Sequence, residues 1–172
     1  MLVAGATGVL GRPLVPMLVQ RGHVVAGLTR SQGELVRDLG AEPIVCDVYD
    51  VEKLKELVGA FDPEVVVHLL TDLPDELDEL DEYLERNARI RIEGTRNLLA
   101  AAPDARMIAE SVNFRDDEGV RELERLAPEV IRLPLLCGPG TYDPDCAGAG
   151  ERIHVADAAL LFAAAVDGSA SS

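Results

Sequence analysis

Residues 5–11 read Gly5-Ala6-Thr7-Gly8-Val9-Leu10-Gly11, with glycine at the first, fourth and seventh positions. The stretch follows a short apolar run, Leu2–Ala4, and leads into Leu10–Arg21, where apolar residues recur at helical spacing. In a strand–turn–helix unit each glycine has a separate task. Gly5 allows a tight exit from the strand, Gly8 lets a ligand approach the backbone, and Gly11 lets the helix pack closely on the sheet. The N–H groups and positive dipole end of such a helix favour phosphate. A dinucleotide pyrophosphate is therefore the expected ligand, met by Gly5, Thr7, Gly8, Val9, Leu10 and Gly11. A glycine-rich turn with no ligand is the competing reading, and the segments that follow weigh against it.

Working outward, Val24–Leu28, Pro43–Cys46 and Val65–Leu70 read as strands, separated by helical patterns at Gly33–Leu39 and Val51–Val58. A long helical region with room for one break is expected from Asp75 to Ala102. Met107–Ala109, Val130–Leu133 and Arg152–His154 follow as strands, with helices at Asp116–Leu126 and Ala156–Val166 and a loop at Gly138–Gly150. This alternation predicts an α/β fold: a Rossmann-type, doubly wound, mostly parallel sheet with helices on both faces. Residues 1–168 read as one domain, and residues 169–172 as a flexible tail.

The second strand runs out through Gly27-Leu28-Thr29-Arg30-Ser31. An Asp or Glu here would accept a hydrogen bond from an adenosine ribose 2′-OH; Arg30 stands there instead, 19 residues after Gly11. A guanidinium suits a 2′-phosphate, and Thr29 and Ser31 offer hydroxyls beside it. NADP(H) is thus the expected cofactor, ahead of NAD(H), against the plainer reading of Arg30 as a surface residue opening a helix. Arg12 adds positive field or is simply solvated.

Sixteen basic against 31 acidic residues leave a net charge of −15, which argues against nucleic acid and anionic membranes as partners. A small-molecule substrate is expected, and a homodimer stays open. No run is apolar and long enough to span a bilayer, and the N-terminus lacks a basic leader, so a cytoplasmic location is expected. Cys46, Cys137 and Cys146 show no metal spacing. Their odd, sparse count suggests a reducing compartment, with Cys46 and Cys137 in the core and Cys146 on an exposed loop. Asp72–Glu85 carries eight acids beside a Leu77, Leu80, Leu84 stripe. We read it as a solvated helix with Glu82–Arg86 and Glu85–Arg89 ion pairs, and no metal site is expected.

The chain resembles the short-chain dehydrogenase/reductase superfamily, in its extended and atypical NAD(P)-dependent epimerase/dehydratase branch. The resemblance runs from Leu2 to about Gly168 and rests on Gly5–Gly11, Cys46-Asp47-Val48, Val66–Leu70, Glu93–Ala102, Arg132-Leu133-Pro134, Cys137–Gly140 and His154–Ala159. It implies that Asp47 and Val48 meet the adenine. It also implies that Leu69, Leu70 and Thr71 lie along the cofactor, and that Pro134 lies near the nicotinamide. Arg91, also expected to meet the cofactor, stands where the branch has an Asn of its proton relay.

The departures carry equal weight. The branch uses a Ser, a Tyr and a Lys four residues after that Tyr. Ser111 occupies the Ser position, but the matching helix reads Glu118-Gly119-Val120-Arg121-Glu122-Leu123-Glu124, with neither Tyr nor Lys. The substrate-binding part is reduced to Thr141–Arg152. Ser111 and Tyr142 are the candidate catalytic residues, Tyr142 as a replacement proton donor or merely an exposed loop residue. His68 and His154 read as structural. Two functions compete. One is an NADPH-dependent reductase or epimerase-like enzyme with a non-standard site, suited to activated double bonds as in flavins, quinones or enones. The other is a non-catalytic NADP(H)-binding sensor or partner subunit.

Overall fold

The computed structural model describes residues 1–74, 79 and 82–168. The tail expected at 169–172, and Leu77, Leu80 and four acids of the acidic stretch (Asp75, Glu76, Asp78 and Asp81), lie outside these residues.

Six strands form one parallel sheet: β1 (Leu2–Ala4), β2 (Ala26–Thr29), β3 (Glu42–Val45), β4 (Val65–His68), β5 (Arg106–Val112) and β6 (Glu129–Leu133), in the order β3-β2-β1-β4-β5-β6. The order reverses between β1 and β4, where Ala4 pairs with His68. Such a reversal opens a crevice at the carboxyl ends of the strands. The central strands β1, β2, β4 and β5 are buried on both faces, the edge strands β3 and β6 are partly exposed, and alternate residues divide between two cores. Val3, Val67 and Ile108 pack under α1 (Gly11–Gln20) and α7 (Val155–Asp167). Leu2, Ala4, Val66, Met107 and Ala109 pack under α3 (Val51–Phe61), α5 (Thr95–Ala101) and α6 (Glu118–Leu126). Among the described residues α2 (Gly33–Asp38) and α4 (Leu84–Arg89) are the other α-helices, and α4 runs through a π-helical turn, Ile90–Gly94, into α5.

Helix starts follow local chemistry. The Asp117 carboxylate accepts from the Val120 N–H at 2.9 Å and begins α6; His154 Nδ1 accepts from the Ala156 N–H at 3.2 Å and begins α7. The latter is the structural role expected of His154.

Two features depart from the sequence reading. A three-residue strand, β7 (Leu135–Cys137), pairs in parallel with β8 (Arg152–His154) to make a separate small sheet. The loop between them returns Cys146 to Cys137, whose Cα atoms are 5.0 Å apart in a disulfide. The expectation of separate thiols is corrected: only Cys46 is free, and it is buried. The acidic stretch is corrected too. In place of the expected Glu82–Arg86 and Glu85–Arg89 pairs, Arg86 pairs with both carboxylate oxygens of Asp72 at 3.0 and 3.1 Å, and Arg89 pairs with Glu93, one turn further along the helical run, at 3.0 Å.

Candidate dinucleotide site

Gly5 leaves β1 with φ +91°, and a Cβ there would sit 2.9 Å from the Leu69 carbonyl oxygen. L-residues disfavour that conformation, so both backbone and space require glycine. A Cβ on Gly11 would come within 2.2 Å of the Gly5 carbonyl oxygen and 2.7 Å of Ala6 Cα. A Cβ on Gly8 would meet only the Gly5 carbonyl oxygen, at 3.3 Å, and Gly8 is exposed. The three glycines therefore differ: two close the turn on itself, and Gly8 opens it toward the crevice.

That crevice is a groove lined by Gly5, Thr7 and Gly8 from the turn, Leu28, Thr29, Arg30, Ser31 and Gln32 from the end of β2, and Leu69, Leu70 and Thr71 from the end of β4. Nine of the residues predicted from sequence to hold the cofactor meet here. The Thr7 and Thr29 hydroxyls lie 3.3 Å apart, Thr29 Oγ1 also accepts from the Gln32 N–H, and Arg12 Nε donates to the Thr7 carbonyl at 2.8 Å. Arg30 is exposed on the rim and, among the described residues, pairs with no carboxylate.

The other predicted residues lie outside the groove lining. Val9 is exposed; Leu10 and Gly11 are buried. Asp47 is exposed and accepts from the Tyr49 N–H, while Val48 is buried with its carbonyl bound to Asn97 Nδ2. Pro134 is half-buried between β6 and β7. A dinucleotide fits what is present: a turn cleared of side chains at Gly8, a helix N-terminus with no acidic residue in its first turn, and a cationic rim.

Behind the groove wall is a chain of buried hydrogen bonds. His68 Nδ1 accepts from the Leu70 N–H at 3.2 Å, so Nε2 carries the proton and donates to Thr95 Oγ1 at 2.9 Å. Thr95 in turn donates to the Arg91 carbonyl. Burial, reinforced by the nearby Arg91 charge, pushes His68 down to about 3, so the ring is neutral and fixes the Leu69–Thr71 wall. Arg91 does not meet the groove as expected: it is buried against Glu110. Its Nη2 reaches Glu110 Oε2 at 3.3 Å, Nη1 reaches the Glu110 carbonyl at 3.4 Å, and Nε has no partner among the described residues. Burial raises the Glu110 carboxyl, with Arg91 opposing it.

The candidate catalytic residues are both engaged. Ser111, fully buried, donates to Glu124 Oε1 at 2.7 Å, and Arg132 Nε donates to the same oxygen at 2.8 Å. Hydrogen bonds from Arg132, then Ser111, hold the Glu124 carboxyl below its ordinary range. Tyr142, on the 138–150 loop, donates its hydroxyl to the Pro74 carbonyl. Glu110 and Glu124 escaped the sequence reading because each partner lies on a different element. The only signal was that Glu124 sits on the helix expected to carry Tyr and Lys. The described residues contain no group of three or more metal-ligating side chains and no helix long and apolar enough to cross a membrane.

Residues 1–113 match the family model for the NAD dependent epimerase/dehydratase family. A "3-diazoavenalumate denitrifying reductase" from Streptomyces sp is 38% identical over 81% of this chain, and a "3-beta-hydroxysteroid dehydrogenase" from Mycolicibacterium neoaurum is 30% identical over 60%. The matches span 57% and 28% of those two proteins' lengths. Among solved structures, Bordetella bronchiseptica WbmH in complex with NAD+ superposes with TM-score 0.73 at 16% identity, over 97% of this chain and 71% of WbmH. The NAD complex of the Thermus thermophilus UDP-glucose 4-epimerase gives 0.71 at 19% identity, over 95% of this chain and 73% of that one. At such identities the structural likeness speaks for the fold, and the family-model match over residues 1–113 speaks for descent. The chain belongs to the NAD dependent epimerase/dehydratase family.

Proposed function

We propose that this protein is an NADP(H)-dependent reductase acting on an electrophile whose reduction needs a hydride but no proton from the protein. The observation that carries the reading is the Ser111–Glu124 contact. The one hydroxyl hydrogen of Ser111 is committed to a carboxylate, and α6 offers no Tyr or Lys to replace it. Bound in the groove, the dinucleotide supplies a hydride.

Arg30 supports NADP(H) over NAD(H), because a rim guanidinium complements a 2′-phosphate and leaves a ribose 2′-OH without an acceptor. The Streptomyces relative, named for a denitrifying reduction of a diazo compound, supports the substrate class. An aryl diazonium that gains a hydride becomes an arene and releases dinitrogen, and that balance contains no proton. A ketone reduction, by contrast, leaves an alkoxide that must be protonated.

The test is NADPH oxidation, followed by loss of nicotinamide absorbance, with an aryl diazonium and with a ketosteroid. Turnover of the first without the second is expected. NADPH that binds but is oxidised by neither would overturn the reductase and favour the non-catalytic NADP(H)-binding alternative.

A further inference from the structure

The loop between β7 and β8 contacts two residues that neighbour the groove lining in the chain, Val9 after Gly8 and Pro74 after Thr71. Gly140 lies against the glycine-rich turn, where a Cβ on it would be 3.8 Å from Val9 Cγ2. Two residues later, the Tyr142 hydroxyl reaches the Pro74 carbonyl, just beyond the Leu69–Thr71 wall. The loop thus reaches from Val9 of the turn to Pro74, three residues along the chain from Thr71. Its root is Cys137, buried at the end of β7, and its far side is tied to that root by Cys146. Inside it, Asp143 accepts from the Ala147 and Gly148 N–H groups at 3.0 Å and from Arg152 Nε at 2.5 Å.

Cys146 is exposed and holds φ +55°, a left-handed conformation that residues with a Cβ disfavour. The tether therefore keeps its own anchor in a backbone state the free chain would leave. Of the hydrogen bonds that remain around Asp143, those from the Ala147 and Gly148 N–H groups are at the surface, where water competes for them, and those with Arg152 and the Gly138 N–H are less exposed or backbone.

We propose that the Cys137–Cys146 disulfide is a redox clasp that holds this loop as a strap across the dinucleotide groove, and that a dithiol reductant releases it. The proposal rests on the dinucleotide reading of the groove. One thiolate of the reductant attacks the sulfur of Cys146, the more exposed of the two residues, and Cys137 leaves and takes up a proton. The reductant's second thiol then displaces Cys146 from the mixed disulfide. Two electrons and two protons pass from the dithiol to the cysteines, and the reductant becomes a cyclic disulfide. Release lowers the fraction of molecules with the strap in place, and apparent affinity falls by that fraction. A strap in place about one-tenth of the time would weaken binding about tenfold.

The experiment compares untreated protein, protein reduced with dithiothreitol, and Cys146→Ser, whose site is exposed and tolerates the change. Iodoacetamide labelling with mass spectrometry counts free thiols, NADPH titration measures Kd, and hydrogen exchange follows the 139–148 amides without cofactor. We expect Cys137 and Cys146 unlabelled before reduction, faster exchange in 139–148 after it, and Kd raised about tenfold. Cys146→Ser should match the reduced protein and ignore dithiothreitol. Free Cys137 and Cys146 thiols in untreated protein would overturn the proposal. So would equal Kd in both redox states, which leaves the cofactor reading intact. Absence of NADPH binding in every sample removes the cofactor reading itself, and the strap with it.

Discussion

The Ser111 hydroxyl donates to Glu124 Oε1 at 2.7 Å from a position wholly removed from solvent, while Arg132 holds the same oxygen from the surface side. Glu124 stays ionised, and Ser111 serves it. Ser111→Ala should therefore cost about 1.5–3 kcal/mol of stability, the usual worth of a hydrogen bond to a charged group. NADPH oxidation by an aryl diazonium should change less than about twofold, well under 1 kcal/mol of barrier. A kcat loss of a hundredfold or more with an unchanged melting temperature would return Ser111 to the chemistry.

Arg30 should set the choice between the two cofactors. Arg30→Ala removes one charge-assisted contact worth about 1.5–3 kcal/mol, so NADPH affinity should fall roughly ten- to a hundredfold while NADH affinity barely moves. Calorimetric titration of both cofactors into both proteins decides it. Equal losses for the two would mean that Arg30 does not read the 2′-phosphate.

Gly8 and Gly11 should fail in different ways. Gly8 lines the groove and a Cβ there meets only the Gly5 carbonyl oxygen, so Gly8→Val should fold yet bind NADPH more than about a hundredfold less tightly, the loss of two charge-assisted contacts. Gly11→Ala drives a Cβ into the Gly5 carbonyl and should destabilise the fold by roughly 1–3 kcal/mol, as overpacking does. Thermal melts and NADPH titrations on both variants separate the two effects. A Gly8→Val protein that binds like wild type would reduce the glycines to a turn.

His68 should make stability depend on pH. Its folded value, about 3, lies below its ordinary 6.5, so the unfolded chain takes up the proton first. The contribution is complete above 6.5 and is lost as pH falls toward 3. Once the unfolded histidine is mostly protonated, the slope approaches about 1.4 kcal/mol per pH unit. Urea unfolding at several pH values should show a shallower slope for His68→Gln than for wild type over that window. Parallel slopes would mean that the ring is protonated in the folded protein.

The order of elements was legible in the sequence because its signals are local. Leu2–Ala4 and Arg152–His154 form the strands expected, and other boundaries shift by a few residues, as with Val24–Leu28, which becomes Ala26–Thr29. Glycine spacing identified the turn for the same reason: a positive φ at Gly5 and a close approach at Gly11 are demands on single residues. Arg30 was found by its offset from the turn, since both lie within one βαβ unit.

The partners were not legible. Leu135–Cys137 is too short and too close to Pro134 to announce a strand, and its mate begins fifteen residues further on. Three cysteines without metal spacing do not say which two meet. Only the return of the loop to β7 brings Cys137 and Cys146 together. Arg91 with Glu110 and Ser111 with Glu124 are 19 and 13 residues apart on separate elements. The sequence by itself determined the β–α order and the glycine turn, because dihedral preference and apolar period act over a few residues. The tertiary structure decided the disulfide, the buried ion pair and the occupation of Ser111, because a polar group finds its partner through space only after packing has removed it from water.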